Sequence, residues 1–256
     1  MNIHILSLLN DMAEQTMYNF SRLPFVKSAI YADNLQLLSV QIKRLAEFYV
    51  TFFQTLEFLP FDMTFYKRSL LGTYEYYDEI KHSDPMIKEV LNSYPHKELL
   101  EMKSIAPIHI RYTDENNLYL VSGLSWIENR KKVQLQLNEF FLPKDLIITP
   151  PQHLSYLIDV LQDYDPAEYP KIQDMTVARG LYYNQFIRDC KSFFGDTFYA
   201  FFTKLKMIEA VNDIIFTRMP LKEIAFRNKF TNYAKMYKTF VRYGVNIAEI
   251  PRLLYS

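Results

Sequence analysis

PLKEIAFRNKF (Pro220 to Phe230) runs directly into TNYAKMYKTFVRYGV (Thr231 to Val245), and this stretch decides the reading of the chain. Leu221, Ile224 and Ala225 give a short supporting helix its inner face, and small Ala225 lets a second helix cross closely. Phe230 plugs a tight turn. Met236 and Phe240, four residues apart, then anchor a longer helix. Tyr233, Ala234, Tyr237 and Lys238 face outward from it, and Lys229, Lys235 and Arg242 enrich its rim with positive charge. A short helix, a tight turn and a longer helix ending in aromatics and a glycine form a helix-turn-helix pattern. Such units lay their second helix in the DNA major groove.

A related unit precedes it. Lys171 to Ala178 reads as the supporting helix, Gly180 supplies the turn, and YNQFIRDCKSFFG (Tyr183 to Gly195) follows. Phe186, Cys190 and Phe193 recur at steps of four and three and should point inward. The opposite face offers Asn184, Ile187, Arg188 and Lys191. Arg there suits guanine and Asn suits adenine, whereas Lys191 suits a phosphate. A helix from about Thr197 to Thr217, capped by Thr197, joins the two units. Phe198, Phe202, Leu205, Ile208, Val211 and Ile215 form its apolar stripe. Such a rod is roughly 30 Å long and can hold two recognition helices about one DNA turn apart. One such unit is weak evidence, because the pattern occurs by chance; two in tandem are far more specific.

On these residues the segment from about 152 to 252 resembles the DNA-binding domain of AraC/XylS-family transcription regulators. The resemblance rests on Gly180, on Gly195, on the LKMIEA segment of the connecting helix, on PLKEIAFRNKF, and on the aromatics before GV and Pro251. It covers roughly two fifths of the chain. It implies an all-α domain of seven helices, two readers of adjacent major-groove segments, and regulation of bacterial transcription. Carried over by position, the base readers are Asn184, Ile187 and Arg188, then Tyr233, Ala234 and Lys238. The partners it implies are double-stranded DNA, RNA polymerase, a second copy of the chain and a small-molecule effector of unspecified chemistry; it implies no cofactor. The chain departs from the pattern at three places. Lys229 replaces a glycine, so either Lys229 or Asn228 must adopt the left-handed turn conformation, which Asn visits more readily. Thr176 replaces a smaller residue, and the second unit is one residue short between Tyr243 and Gly244.

The totals agree with a helix-rich globular protein: 256 residues, 49% hydrophobic, five glycines and forty Phe and Tyr. Net charge is zero but uneven. Residues 166–256 carry 14 Lys/Arg against 8 Asp/Glu, whereas residues 1–165 carry 15 against 21. A basic back half suits a polyanion and an acidic front half does not. A single cysteine, Cys190, excludes an intramolecular disulfide and fits a cytoplasmic protein; its inward register makes it a small core residue. MNIHILSLLNDMAEQ lacks a signal peptide's basic region and cleavage site. FYVTFFQTLEFLPF is interrupted by Gln54 and Glu57 and falls short of a membrane span. His4, His82, His96, His109 and His153 are scattered without metal-ligand spacing. No Walker loop, GxGxxG, GxSxG or CxxC is present, and no enzyme is expected.

The fold class expected is α+β: a mixed helix and strand module over 1–150, for sensing or oligomerisation, ahead of the all-α double helix-turn-helix domain over 151–256. Asp33 and Asn34 can cap a helix running to about Phe58, stopped by Pro60. Leu38, Ile42, Leu45, Tyr49, Phe52 and Leu56 form its stripe, which suits its own core better than a dimer surface. Shorter helices are expected at 86–94, 97–103 and 152–162. Strands are expected at Pro107 to Thr113, Leu118 to Gly123, Lys132 to Leu137 and Leu146 to Thr149, with a DENN turn between the first two. DYDPAEYP (Asp163 to Pro170) is the strongest break signal. Trp126 is expected in the core, and the His82–Asp84 pair on the surface.

Overall fold

A computed structural model describes residues 1–29, 35–61, 64–75, 84–93, 105–129 and 132–254. The expected helix at 97–103, the capping pair Asp33–Asn34, and His82 lie outside them. The described chain is α+β and separates into two compact units, Ile5–Ile147 and Met1–His4 with Ile148–Ser256.

The first unit builds a four-stranded antiparallel sheet in the order β1-β4-β3-β2. Its strands are β1 Tyr66–Glu75, β2 Ile105–Thr113, β3 Asn117–Asn129 and β4 Lys132–Pro143. Helices α1 (Ile3–Ser21), α2 (Pro24–Ala29) and α3 (Leu35–Thr55) precede β1, and α4 (Pro85–Ser93) follows it. Met86, Ile87, Val90 and Leu91 of α4 close one sheet face over Ile108, Val121, Val133, Leu135 and Leu137. The α3 stripe is buried within the chain, with Leu38, Ile42, Leu45, Tyr49, Phe52 and Leu56 all at 8% exposure or less. It is core.

The DENN connection forms as expected. The Asp114 carboxylate accepts from the amides of Asn116 and Asn117 at 2.9 and 2.7 Å, and the Asp114 amide donates to the Asn117 carbonyl. Gly123 allows a close approach between β3 and β4: an added Cβ would lie 1.9 Å from the Gln136 carbonyl oxygen. Trp126 is buried and donates to Gln134 at 2.7 Å, a core role. His109 is half-buried between Ser122 and Asn10, each 2.9 Å from one ring nitrogen.

Several boundaries differ from the sequence expectation. β1 was not expected, because its alternation is broken by Lys67 and Arg68. Those two side chains are drawn to buried Glu139 on β4, at 3.4 and 2.6 Å, and Arg68 reaches on to Asp84. Asp84 is therefore held by Arg68, while the expected pair with His82 lies outside the described residues. Helix α3 ends at Thr55, ahead of Pro60, because Glu57 turns left-handed (φ 60°) and Phe58 donates to the Phe53 carbonyl. Leu146 to Thr149 forms no strand: Lys144–Leu146 is a 3-10 turn, and Ile148 makes an isolated parallel bridge to Asn2. The helix expected at 152–162 splits into a 3-10 turn at Gln152–Leu154 and α5 at Tyr156–Asp163.

The second unit is all-α beyond that bridge. After α5 come α6 (Ile172–Ala178), α7 (Tyr183–Phe194), α8 (Phe198–Phe216), α9 (Leu221–Arg227) and α10 (Tyr233–Arg242). DYDPAEYP falls inside this unit, where Tyr164 is 2% exposed, donates to the Tyr169 carbonyl, and packs edge-on against Phe198 and Phe202. Thr197 caps α8, accepting from the Ala200 amide at 3.2 Å. The buried surface of α8 is wider than one stripe. Phe201, Met207, Ala210 and Ile214 are buried beside the expected residues, and Leu205 is only half-buried. A helix apolar on most sides has packing partners on most sides.

Candidate nucleic-acid interface

The supporting helices and the helices after them are held by different local devices. Gly180 adopts φ 67° after α6, and the Leu181 amide returns to the Thr176 carbonyl at 2.8 Å. After α9 it is Lys229, not Asn228, that turns left-handed, at φ 56°. The reason is visible in Asn228. Its side chain is buried and donates to the Asp213 carboxylate of α8 at 2.8 Å and to the Ile224 carbonyl at 2.9 Å. Asn228 therefore stays right-handed (φ −91°), and the next residue makes the turn. Phe230 is buried as the plug, and its amide donates to the Ala225 carbonyl.

The Lys206 ammonium on α8 completes this turn. It donates to the Lys229 carbonyl at 3.2 Å and lies 4.3 Å over the Phe230 ring. Burial, and then the Lys229 charge, hold it below the usual lysine range.

On α7, Phe186, Cys190 and Phe193 are buried, as their spacing requires. Burial pushes the Cys190 thiol up to about 12, which leaves it protonated and unreactive. Asn184, Arg188 and Lys191 are exposed on the other side and Ile187 is half-buried. Arg188 donates to Gln185 at 2.7 Å, Gln185 donates to Asp189 at 2.6 Å, and the Tyr156 hydroxyl donates to Asp189 at 2.7 Å. Gln185 thus joins the outward set, although nothing in the sequence singled it out beyond its place three residues before Arg188.

On α10, Met236 and Phe240 are fully buried. Ala234, Lys235 and Lys238 are exposed, and Tyr233 is half-buried against Tyr237, their rings 6.2 Å apart. Asn232 caps the helix, accepting from the Lys235 amide at 2.8 Å. Each sequence-predicted set therefore shares one face of its own helix. Exposed apolar residues that were not expected include Val177 on α6 (71% exposed), Tyr182 before α7 (87%) and Phe226 on α9 (65%).

Among the described residues no group of three His, Cys, Asp or Glu side chains is placed to hold a metal ion. No helix among them is long and apolar enough to cross a membrane. No protein-family model, no curated protein and no solved structure matches the chain.

Proposed function

We propose that the chain is a sequence-specific DNA-binding transcription regulator of AraC/XylS type. In this reading it is a cytoplasmic bacterial protein whose helices α7 and α10 enter successive major grooves. One observation carries the reading: two helix pairs, each with a left-handed turn residue (Gly180, Lys229) and an inner apolar face, present polar and basic outer faces on their second helices. Asn184, Ile187, Arg188, Tyr233, Ala234 and Lys238 are the base-reading set, with Lys191 and Lys235 on phosphates. Phosphate neutralisation makes binding fall steeply with salt, because condensed counterions are released.

In-vitro selection of duplexes by the purified chain tests this. The expected result is a motif in two blocks whose centres are about ten base pairs apart. Arg188→Ala then lowers preference at one base pair by roughly 1–3 kcal/mol if the contact is bidentate. An equal loss on all sequences would make Arg188 a phosphate contact instead.

A second reading is favoured by the exposed apolar side chains Val177, Tyr182 and Phe226. It is a protein-interaction factor whose DNA reader is degenerate and which acts through a partner regulator. Selection that enriches no sequence even at low salt favours this reading over the first.

A further inference from the structure

The outer face of α10 is divided lengthwise. Ala234, Tyr237 and Val241 recur at steps of three and four, and so do Lys235, Lys238 and Arg242 beside them. All six are exposed, Tyr237 at 46% and Val241 at 54%. Buried Met236 and Phe240 hold the opposite side, so neither strip is spent on the core. The helix presents an apolar strip and a basic strip side by side, with no acid among its own residues. The outer face of α7 is built differently. Asn184, Gln185, Arg188 and Lys191 are exposed there and can all hydrogen-bond, whereas its aliphatic Ile187 is half-buried. Tyr183, in the first turn, is the one exposed ring on α7.

We propose that α10 selects an A·T-rich block of duplex DNA by packing thymine methyl groups against Ala234, Tyr237 and Val241, while Lys235 and Arg242 take phosphates. The assignment rests on the DNA-binding reading and adds to it the class of sequence that each helix selects. Thymine alone among the bases carries a methyl group in the major groove, and apolar side chains are what meet it. Guanine and adenine are read instead by bidentate Arg, Asn or Gln. Helix α10 holds no Asn or Gln, and its single Arg is its last residue, Arg242. In units of this kind the N-terminal part of the second helix faces the base edges, so Arg242 is displaced from them. Covering a methyl group removes apolar surface from water and needs no polar partner. An apolar strip therefore prefers thymine where a hydrogen-bonding strip would prefer a purine. Lys238, between the two strips, is left for a base acceptor. Tyr237 and Val241 thus join the specificity-determining residues, and α7 keeps the hydrogen-bonded part of the operator.

In-vitro selection with the full chain supplies the duplex, and Arg188→Ala marks the block that belongs to α7. Deoxyuridine then replaces thymidine in one block at a time, which keeps every base pair and phosphate and removes only the methyl groups. Fluorescence anisotropy reads the affinities. The expected result is an A·T-rich block away from the one that Arg188 reads. Deoxyuridine there weakens binding about three- to fourfold per contacted methyl, and in the other block it changes little. Tyr237→Ala and Val241→Ala, both at exposed positions, are expected to bring the ratio of thymidine to deoxyuridine affinities towards one, with binding of the deoxyuridine duplex little changed. Tyr237→Phe keeps the ring and keeps the ratio. A two-block motif whose α10 block is not A·T-rich, or whose methyl groups can be removed without loss, overturns this inference and leaves DNA binding standing. A ratio that both alanine variants preserve does the same. Selection that enriches no sequence overturns the DNA-binding reading and this inference together.

Discussion

The α6–α7 pair and the α9–α10 pair have one outline but different physics. The first turn uses Gly180, whose added Cβ would meet nothing within 4 Å, so only backbone freedom is being used there. The second turn accepts a lysine in a conformation costing roughly 1–2 kcal/mol for a residue with a side chain. Asn228, locked to Asp213, obliges the next residue to make the turn. The helix starts differ as well. Asn232 caps α10 with its side chain, whereas Tyr182 stands before α7 with no side-chain cap. Charge follows the same division: α7 balances Arg188 and Lys191 against Asp189, while α10 carries Lys235, Lys238 and Arg242 with no acid. A recurring shape is thus reached through an open backbone in one place and through a side-chain lock in the other.

The largest effect should come from breaking the lock. Asn228→Ala removes a buried hydrogen bond to a carboxylate and is expected to cost about 2 kcal/mol in chemical denaturation. It also leaves Asp213 with Arg227 at 3.5 Å as its remaining charged neighbour among the described pairs. Next is the glycine turn. Gly180→Ala should cost about 1 kcal/mol through left-handed strain alone. Cys190 is the chain's only cysteine and is buried on α7, so thiol labelling rates read the opening of this pair and should rise in that variant. Of similar size, Asn232→Ala should lose about 1 kcal/mol, and Tyr182→Asn should add about 0.5 kcal/mol by supplying the missing cap. Equal responses at these two positions would show that the difference in capping is only apparent. Lys229→Gly is expected to stabilise by about 0.5 kcal/mol, relieved strain being partly offset by a freer unfolded chain. Smallest is Arg179→Ala. Arg179 occupies the place before the turn that Asn228 holds in the second pair, but its partner Asp163 is 63% exposed. Less than about 0.5 kcal/mol should change.

The second unit was legible because its signals are local. Helical spacing, the turn glycine and the Thr197 cap all act within a few residues of one another, so the order of helices could be read directly. Which residue would turn at Lys229 could not, since the answer depends on Asp213, fifteen residues away on another helix. The first unit was legible only in part. The strands from Ile105 onward and the α3 stripe carry periodic patterns, whereas β1 is identified by pairing with β4 across 57 to 74 residues. Its Lys67 and Arg68 read as solvated until Glu139 is seen beneath them. The exposed faces of α7 and α10 followed from their buried ones.

The bridge from Asn2 to Ile148 has a topological consequence. Ile148 donates to the Met1 carbonyl at 2.8 Å and receives from the Ile3 amide at 3.0 Å. The backbone therefore departs into residues 5–147 and comes back at neighbouring points, as an inserted domain does within a host. A single proteolytic nick at either crossing leaves the inserted portion attached by the other, and a tag fused to Met1 burdens the helical host at its own seam.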